Sequence, residues 1–479
     1  MSFKTQIIEI DVEAVQTEAE NILRAAPGSR RDHAAVLEEI LECLVPIDFR
    51  SVAGVQSDQP VPQKVKVVLA VQAVLNKAEE MNCALCRNQD FIYAYNGEFW
   101  QLIDRSALEN FLGEAAERVG VDTITSRHYK FKKELLSQFF TAAYLPTPER
   151  TKHVLVNLKD ATFEITEEGH RVRNFDPKDF LTYQLPFRFD ETASCPKWQR
   201  FLDEVVPDAS RQAVLAEFIG YVFAQHLKLE KTLILYGTGA NGKSVFFDVI
   251  NALLGPENVS NISLESICKD QYYRALIADK LLNYSSEISS RLQAEKFKQL
   301  ASGEPIEARL PYGQPMTLEQ YARLAFNCNE LPSDVEHTEA FFRRFLIIPF
   351  RVTIPENKRN SNLAKEIIEN ELSGVFNWVK AGLERLLLQN CFSHCEAAEV
   401  ELAAYKRDSD TVAMFTDDEG YQRSTKGWVK LKDLYQHYRN YCIENGLRPV
   451  SSKKLVKRLA RLGYEAEKYA VGKVVYIEK

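Results

Sequence analysis

No stretch of the 479-residue chain is an apolar run long enough to span a bilayer, so no membrane anchor is expected. The opening Met1-Ser-Phe-Lys-Thr-Gln runs into mixed polar residues rather than an apolar core, so no signal peptide is expected and a cytoplasmic protein is the natural reading. Internal repeats and low-complexity tracts are absent. Cysteine is sparse: nine residues at irregular positions, an odd count that excludes a simple disulfide framework. Cys83-Ala-Leu-Cys86 and the pair Cys391 and Cys395, with His394 beside it, lie far apart in sequence. Buried, reduced thiols are expected there rather than a zinc site.

An excess of positive charge is also lacking. The net charge of −7 excludes a wholly basic nucleic-acid binder, but it hides an asymmetry. From Thr425 to Lys479 there are 13 Lys and Arg against 5 Asp and Glu, so this tail carries +8 and the remainder −15. A basic module on an acidic body predicts a localised contact with a polyanion. A hydrophobic share of 45% is normal for a globular chain, and the length suits about three domains.

Helical spacing of apolar residues marks residues 30–44 and 63–81, with a Gly-, Ser-, Pro- and Gln-rich loop at 51–62 between them. Residues 91–103 read as a hairpin turning at Asn96-Gly97. Helices are expected on to Tyr144, mixed strand and loop from Lys152 to Cys195, and a helical pair from Trp198 to Leu229. Apolar strands then alternate with helices as far as Ile354, which predicts a parallel α/β core. Leu363 to Gln389 reads as helix. Residues 403–424 are charged and read as a linker. Beyond them, helix 431–445, a turn, helix 452–462 and two short strands (465–469 and 474–478) suit a winged helix.

Within the α/β core stands Gly237-Thr238-Gly239-Ala240-Asn241-Gly242-Lys243-Ser244, which meets the phosphate-cradling pattern G-x-x-x-x-G-K-[ST] at every fixed position. The preceding Lys231–Tyr236 reads as a buried strand, and Val245–Leu254 as a helix that ends at Gly255-Pro256. Glycines let backbone N–H groups face phosphate oxygens, and the helix N-terminus adds a favourable dipole. Lys243 suits the β and γ phosphates of ATP, and the Ser244 hydroxyl suits Mg²⁺.

An ATPase also needs an acid to orient water, a polar sensor and a cation for transition-state charge. Lys280–Glu287 is an apolar strand ending in one carboxylate, with Ser286 where many ATPases place a second acid. Ala322–Pro332 is another strand, ending in polar residues that include Asn329. Phe341–Phe350 places Arg343 and Arg344 before an apolar strand, and arginine matches phosphate geometry.

GTGANGKS, the strand ending in Glu287, FNCNELP and AFFRRFLIIPF resemble the motifs of superfamily 3 helicases, more closely the helicase part of phage and plasmid primase-helicases, a group with satellite-phage and poxvirus members. The resemblance runs from about Phe91 to Lys479 and includes the lead-in Phe187–Trp198. It implies an AAA+ domain acting as a ring, usually a hexamer. Lys243 and Ser244 would serve ATP and Mg²⁺, Glu287 would be the Walker B acid that also serves the metal, and Asn329 the sensor. Arg343 or Arg344 would be the finger to a neighbour's ATP.

The resemblance also places a DNA-gripping loop before the sensor strand. Lys298, Arg309 and Tyr312 are candidates there, the tyrosine by stacking on a base. At the C-terminus, Lys453, Lys454, Lys457, Arg458 and Arg461 surround an apolar helix face and could meet phosphates. The expected organisation is a helical region at 1–85, an α+β domain at 86–192, the AAA+ domain at 193–395, and a linker with a winged helix at 396–479. The segment before the matching region is too short for the primase of many relatives, and no D-x-D pair stands on an apolar strand. The expectation is a hexameric DNA helicase acting on single-stranded and forked DNA, with a separate primase or polymerase as a candidate partner. The alternative is an ATP-switched initiator or loader that unwinds little.

Overall fold

The computed structural model describes residues 32–146 (except Ser57), 152–166, 169–286, 288, 293–311, 313–332, 335–470 and 472–479. The chain divides into two compact units. The first holds residues 1–149 with 160–162 and 173–184, and the second the remainder.

The first unit is a helical layer on a small antiparallel sheet. Its helices are α1 (His33–Cys43), α2 (Gln63–Glu80), α3 (Arg105–Arg118) and α4 (Tyr129–Ala142). Asp32 and Asp104 start α1 and α3 by accepting hydrogen bonds from N–H groups of the first turn. The sheet joins β1 (Ala84–Asn88), β2 (Phe91–Tyr95) and β3 (Trp100–Leu102) in that order. The β2–β3 turn is the one expected: Gly97 has φ +100°, and Asn96 Oδ1 accepts from the N–H groups of Glu98 and Phe99, each at 3.0 Å. One core runs from Val36 and Ile40 through Val71, Leu85 and Ile92 to Leu112, Leu135 and Phe139. It crosses the boundary expected at residue 85, because β1 and β2 turn apolar side chains onto the same helices.

In the second unit a small sheet of β4 (Val154–Asn157), β5 (Thr162–Thr166) and β6 (Gly169–Arg173) comes first. Helices α5 (Pro196–Val205) and α6 (Ala209–Tyr221) follow. The centre is a five-stranded sheet of β7 (Thr232–Tyr236), β8 (Val259–Ser260), β9 (Leu282–Ser285), β12 (Arg323–Cys328) and β13 (Phe345–Pro349), in the order β13-β7-β12-β9-β8. Every pairing is parallel. Leu233, Ile234, Leu235, Ala325, Phe326, Ile347 and Ile348 are fully buried, the continuous apolar run of a sheet covered on both faces. Helices α7 (Lys243–Leu254), α8 (Ala294–Ser302), α9 (Leu363–Asn370) and α10 (Leu372–Gln389) supply cover, and the antiparallel hairpin β10 (Ile306–Arg309) with β11 (Pro315–Leu318) projects before β12.

The stretch read as a linker is mostly helix, α11 (Glu396–Asp408) and α12 (Thr411–Asp418). Its charges face water, but Tyr405, Val412 and Phe415 are buried, and that thin apolar set suffices to seat it. The Tyr405 hydroxyl donates to the Pro332 carbonyl at 2.8 Å. The basic tail contains α13 (Leu431–Glu444) and α14 (Ser452–Arg461). Strand β17 (Gly472–Val475) lies between β15 (Val429–Lys430) and β16 (Ala466–Tyr469), and β14 (Gln422–Arg423) pairs with β18 (Ile477–Glu478). Phe415, Leu434, Tyr438, Leu455, Leu459 and Val475 form its core. Among the described residues, no helix is long and apolar enough to cross a membrane.

Helices α6 and α10 meet at two glycines. A Cβ on Gly382 would lie 2.4 Å from the Ala216 carbonyl carbon, and one on Gly220 would lie 2.7 Å from Leu383 Cβ. Gly382→Ala is therefore expected to destabilise the second unit by about 1–3 kcal/mol, read as a lowered urea midpoint.

Candidate functional site

The loop Gly237–Gly242 leaves the C-terminal end of β7 and enters α7 at Lys243. Its backbone is curled by three left-handed residues, Gly239 (φ +108°), Ala240 (φ +49°) and Gly242 (φ +86°). Such a curl turns successive N–H groups toward one point, a concavity suited to an anion. Two of the glycines are set by close approach. A Cβ on Gly237 would sit 2.4 Å from the Phe350 carbonyl oxygen, and one on Gly242 would sit 2.9 Å from both Phe201 and Val205. Nothing lies within 4 Å of a Cβ on Gly239, which leaves the mouth of the loop open.

Asn241 holds this shape. Its Nδ2 donates to the Phe350 carbonyl at 2.9 Å, and its Oδ1 accepts from Lys243 Nζ at 2.9 Å. The ammonium also donates to the Gly237 carbonyl at 2.7 Å. Lys243 is only 6% exposed, and burial lowers its pKa below the ordinary lysine range. A buried ammonium on two neutral acceptors is short of negative charge, which an incoming phosphate would supply. Ser244, next along, is exposed.

A cleft of about 810 Å³ opens over this loop. Gly239–Val245 form one wall, and Ser286, Asn327 and Asn329 form another. The parallel register explains the meeting: Tyr236 pairs with Cys328, so Gly237 and Asn329 leave adjacent strands side by side. The structure thus brings Gly239, Ala240, Asn241, Gly242, Lys243, Ser244 and Asn329 together. Gly237 closes the loop beneath, its N–H donating to the Cys328 carbonyl at 3.2 Å. Glu287 lies outside the described residues, directly after Ser286.

The remaining wall was not legible as a site in the sequence. It consists of Lys197, Arg200, Phe201 and Glu204 from α5, and of Ile354 with Lys358–Ser361, Leu363 and Glu366 after β13. The N–H of Ile354 donates to the Ala240 carbonyl at 2.9 Å and ties that segment to the loop. Lys197 is paired with Glu366 at 2.5 Å. No phosphate-site motif flags these residues, because only the packing of α5 and of the chain after β13 against the loop brings them there. The residue spacing fits a phosphate chain on the loop and a divalent cation near Ser244: the cradle is open, its lysine lacks a counter-charge, and an orphaned amide oxygen (Asn327) lines the same cleft.

Arg343 and Arg344 lie elsewhere. They precede β13, whose first residue pairs with Thr232 at the start of β7, so they occupy the sheet edge opposite the loop. Five residues of strand separate the edges, roughly 16 Å. Arg344 is buried: it donates to Ser302 Oγ at 2.7 Å and to the Lys298 and Ala340 carbonyls, and pairs with Glu230 at 3.2 Å. The Arg343 side chain is 54% exposed and meets Glu230 at 2.6 Å.

Among the candidate DNA contacts, Lys298 is paired with Glu336 at 3.0 Å, and Arg309 Nε donates to the Gly313 carbonyl at 2.9 Å within the β10–β11 hairpin. Tyr312 lies outside the described residues. Lys453, Lys454 and Lys457 are exposed on α14. Arg458 and Arg461 share that face but are engaged: Arg458 pairs with Asp410 at 3.1 Å, and Arg461 donates to the His337 carbonyl at 2.5 Å. Both arginines fasten the tail to the body.

Arg344→Ala strands several buried partners and is expected to cost about 2–3 kcal/mol of stability. Arg343→Ala removes one exposed pair and is expected to cost less than about 1 kcal/mol. Parallel urea unfolding of the two variants checks the contrast.

Comparison with known proteins adds family context. Residues 235–344 match the family described as "Family of unknown function (DUF5906)", and residues 76–207 match "D5 N terminal like". A protein of Acanthamoeba polyphaga mimivirus named "Putative helicase L207/L206" is 21% identical over 351 residues, covering 66% of this chain. The match spans 36% of that protein's length. Among solved structures, the apo C-terminal region of NrS-1 has a TM-score of 0.49 at 13% identity, covering 86% of this chain and 99% of that one. Its A form scores 0.48, covering 85% and 98%. The sequence matches fit a phage or viral primase-helicase family.

Proposed function

We propose that this chain is an ATP-driven DNA helicase of the superfamily 3 type, with an AAA+ core and a winged-helix tail, working as a ring, by family analogy a hexamer. The observation that carries the reading is the cleft that gathers the phosphate loop, Lys243, Ser244 and Asn329 around one opening. In this reading the loop N–H groups and Lys243 bind the phosphates of ATP. Ser244 and Glu287 hold Mg²⁺, which supplies charge neutralisation for phosphoryl transfer. Glu287 orients the attacking water, and Asn329 senses the γ-phosphate.

Arg343 completes the site in trans. The sheet stands between it and its own chain's loop, so it reaches a cleft only on a neighbouring copy. Its exposure and single ion pair leave it free to move, whereas Arg344 is committed to the core. Lys453, Lys454 and Lys457 are the DNA contacts of the tail, and the β10–β11 hairpin with Arg309 and Tyr312 grips the translocated strand. A separate primase or polymerase would act beside it.

ATP turnover is expected to rise when forked DNA is added, and Lys243→Ala to abolish it. Turnover indifferent to DNA contradicts the reading. Turnover without strand release from a fork favours the ATP-switched loader instead. Lys243→Ala and Arg343→Ala subunits, each inactive alone, are expected to regain part of the turnover when mixed, because a mixed interface pairs an intact loop with an intact arginine. Replacing Lys453, Lys454 and Lys457 together by Glu should weaken DNA binding and flatten its dependence on salt.

A further inference from the structure

Asn327 stands on β12 two residues before Asn329, and alternation along the strand puts both on one face, where both line the cleft. Asn327 is 6% exposed. Its Nδ2–H donates to the Tyr284 hydroxyl at 2.5 Å. Tyr284 is itself fixed, its ring stacked on Phe247 of α7 with centroids 3.6 Å apart. The α7 helix, β9 and β12 are thereby cross-linked directly behind the phosphate loop.

The other end of the amide is unsatisfied. Asn327 Oδ1 is buried and has no hydrogen-bond partner among the described residues. An orphaned buried acceptor is costly to stability. Leucine or alanine would fill the same strand position without that cost, so the oxygen awaits a donor that arrives with a ligand. The loop side of the cleft already supplies donors for phosphate oxygens, its N–H groups and the Lys243 ammonium. A phosphate chain brings acceptors only, and cannot satisfy Oδ1. Water polarised by a divalent cation is a donor, and Mg²⁺ keeps several waters when it binds beside phosphates.

We infer that Asn327 Oδ1 accepts a hydrogen bond from the hydration shell of the divalent cation that accompanies the nucleotide, making Asn327 a positioning residue for that cation. The inference rests on the nucleotide reading above. Tyr284 sets the amide's orientation. Burial and the nearby Asp248 carboxylate raise the phenol's pKa to about 12, so the hydroxyl stays neutral against the amide.

The test is ADP binding by calorimetry, with Mg²⁺ and in excess chelator, for the wild-type chain and for Asn327→Leu, Asn327→Asp and Tyr284→Phe. Wild type is expected to bind ADP more tightly with the metal. Asn327→Leu should lose about tenfold of that enhancement, in line with the loss of an outer-shell metal partner, and keep its metal-free affinity. Asn327→Asp retains an acceptor and should keep the enhancement, whereas Tyr284→Phe, which frees the amide to turn, should lose part of it. Asn327→Ser, which also lacks the reach, serves if the leucine variant does not fold. An unchanged enhancement in Asn327→Leu or Asn327→Ser overturns the inference. So does an aspartate variant weakened equally with and without metal, which would make the amide a donor to phosphate. Wild-type chain that binds no ADP overturns the nucleotide reading itself, a separate outcome.

Discussion

The parallel pairing of β7 with β12, with Tyr236 opposite Cys328, is the constraint on which the candidate site depends. A parallel sheet sends every strand out at the same edge. The loop after β7 and the polar residues after β12 therefore emerge side by side, although some 85 residues of chain lie between them. One slip of register would turn Asn327 and Asn329 to the other face and bury Phe326 and Cys328 wrongly. The apolar run Leu233–Leu235, buried on both faces, holds that register.

The same geometry separates the two arginines from the loop. A group at the N-terminal ends of the strands cannot reach the C-terminal ends of its own sheet, so a cation placed there serves a neighbour or the core. Arg344 serves the core, and in the proposed reading Arg343 serves a neighbour. Arg344 knits α8 to β13 through Ser302 and the Lys298 carbonyl. Arg343 stays outside, on Glu230. The tail shows a similar division: on α14, Arg458 and Arg461 hold Asp410 and the His337 carbonyl, while Lys453, Lys454 and Lys457 stay exposed.

Much of this was legible in the sequence where local chemistry dictates it. The Asn96-Gly97 hairpin, the loop between β7 and α7, and the tail helix read at 452–462 follow from turn residues and periodicity. Charge misled at 403–424, where buried Tyr405, Val412 and Phe415 outweigh a polar majority. Family motifs could name Arg343 and Arg344 as a pair, but only burial separates them. The cleft wall from Lys197 to Glu204 and from Ile354 to Glu366 was not legible at all, because tertiary folding alone assembles it. Asn327 was hidden for a different reason: an asparagine in an apolar strand reads as ordinary until its unpaired oxygen is located.

The central claim is that the cleft is an ATP site completed by Arg343 from the next copy of the chain. Electron-microscopic images of particles formed with a non-hydrolysable ATP analogue and forked DNA test it most directly. The account predicts closed rings with one DNA strand in the channel, the analogue on the Gly237–Ser244 loop, and the neighbouring subunit's Arg343 at its γ-phosphate. Monomers carrying the analogue, or rings in which Arg343 faces solvent away from the nucleotide, would contradict it.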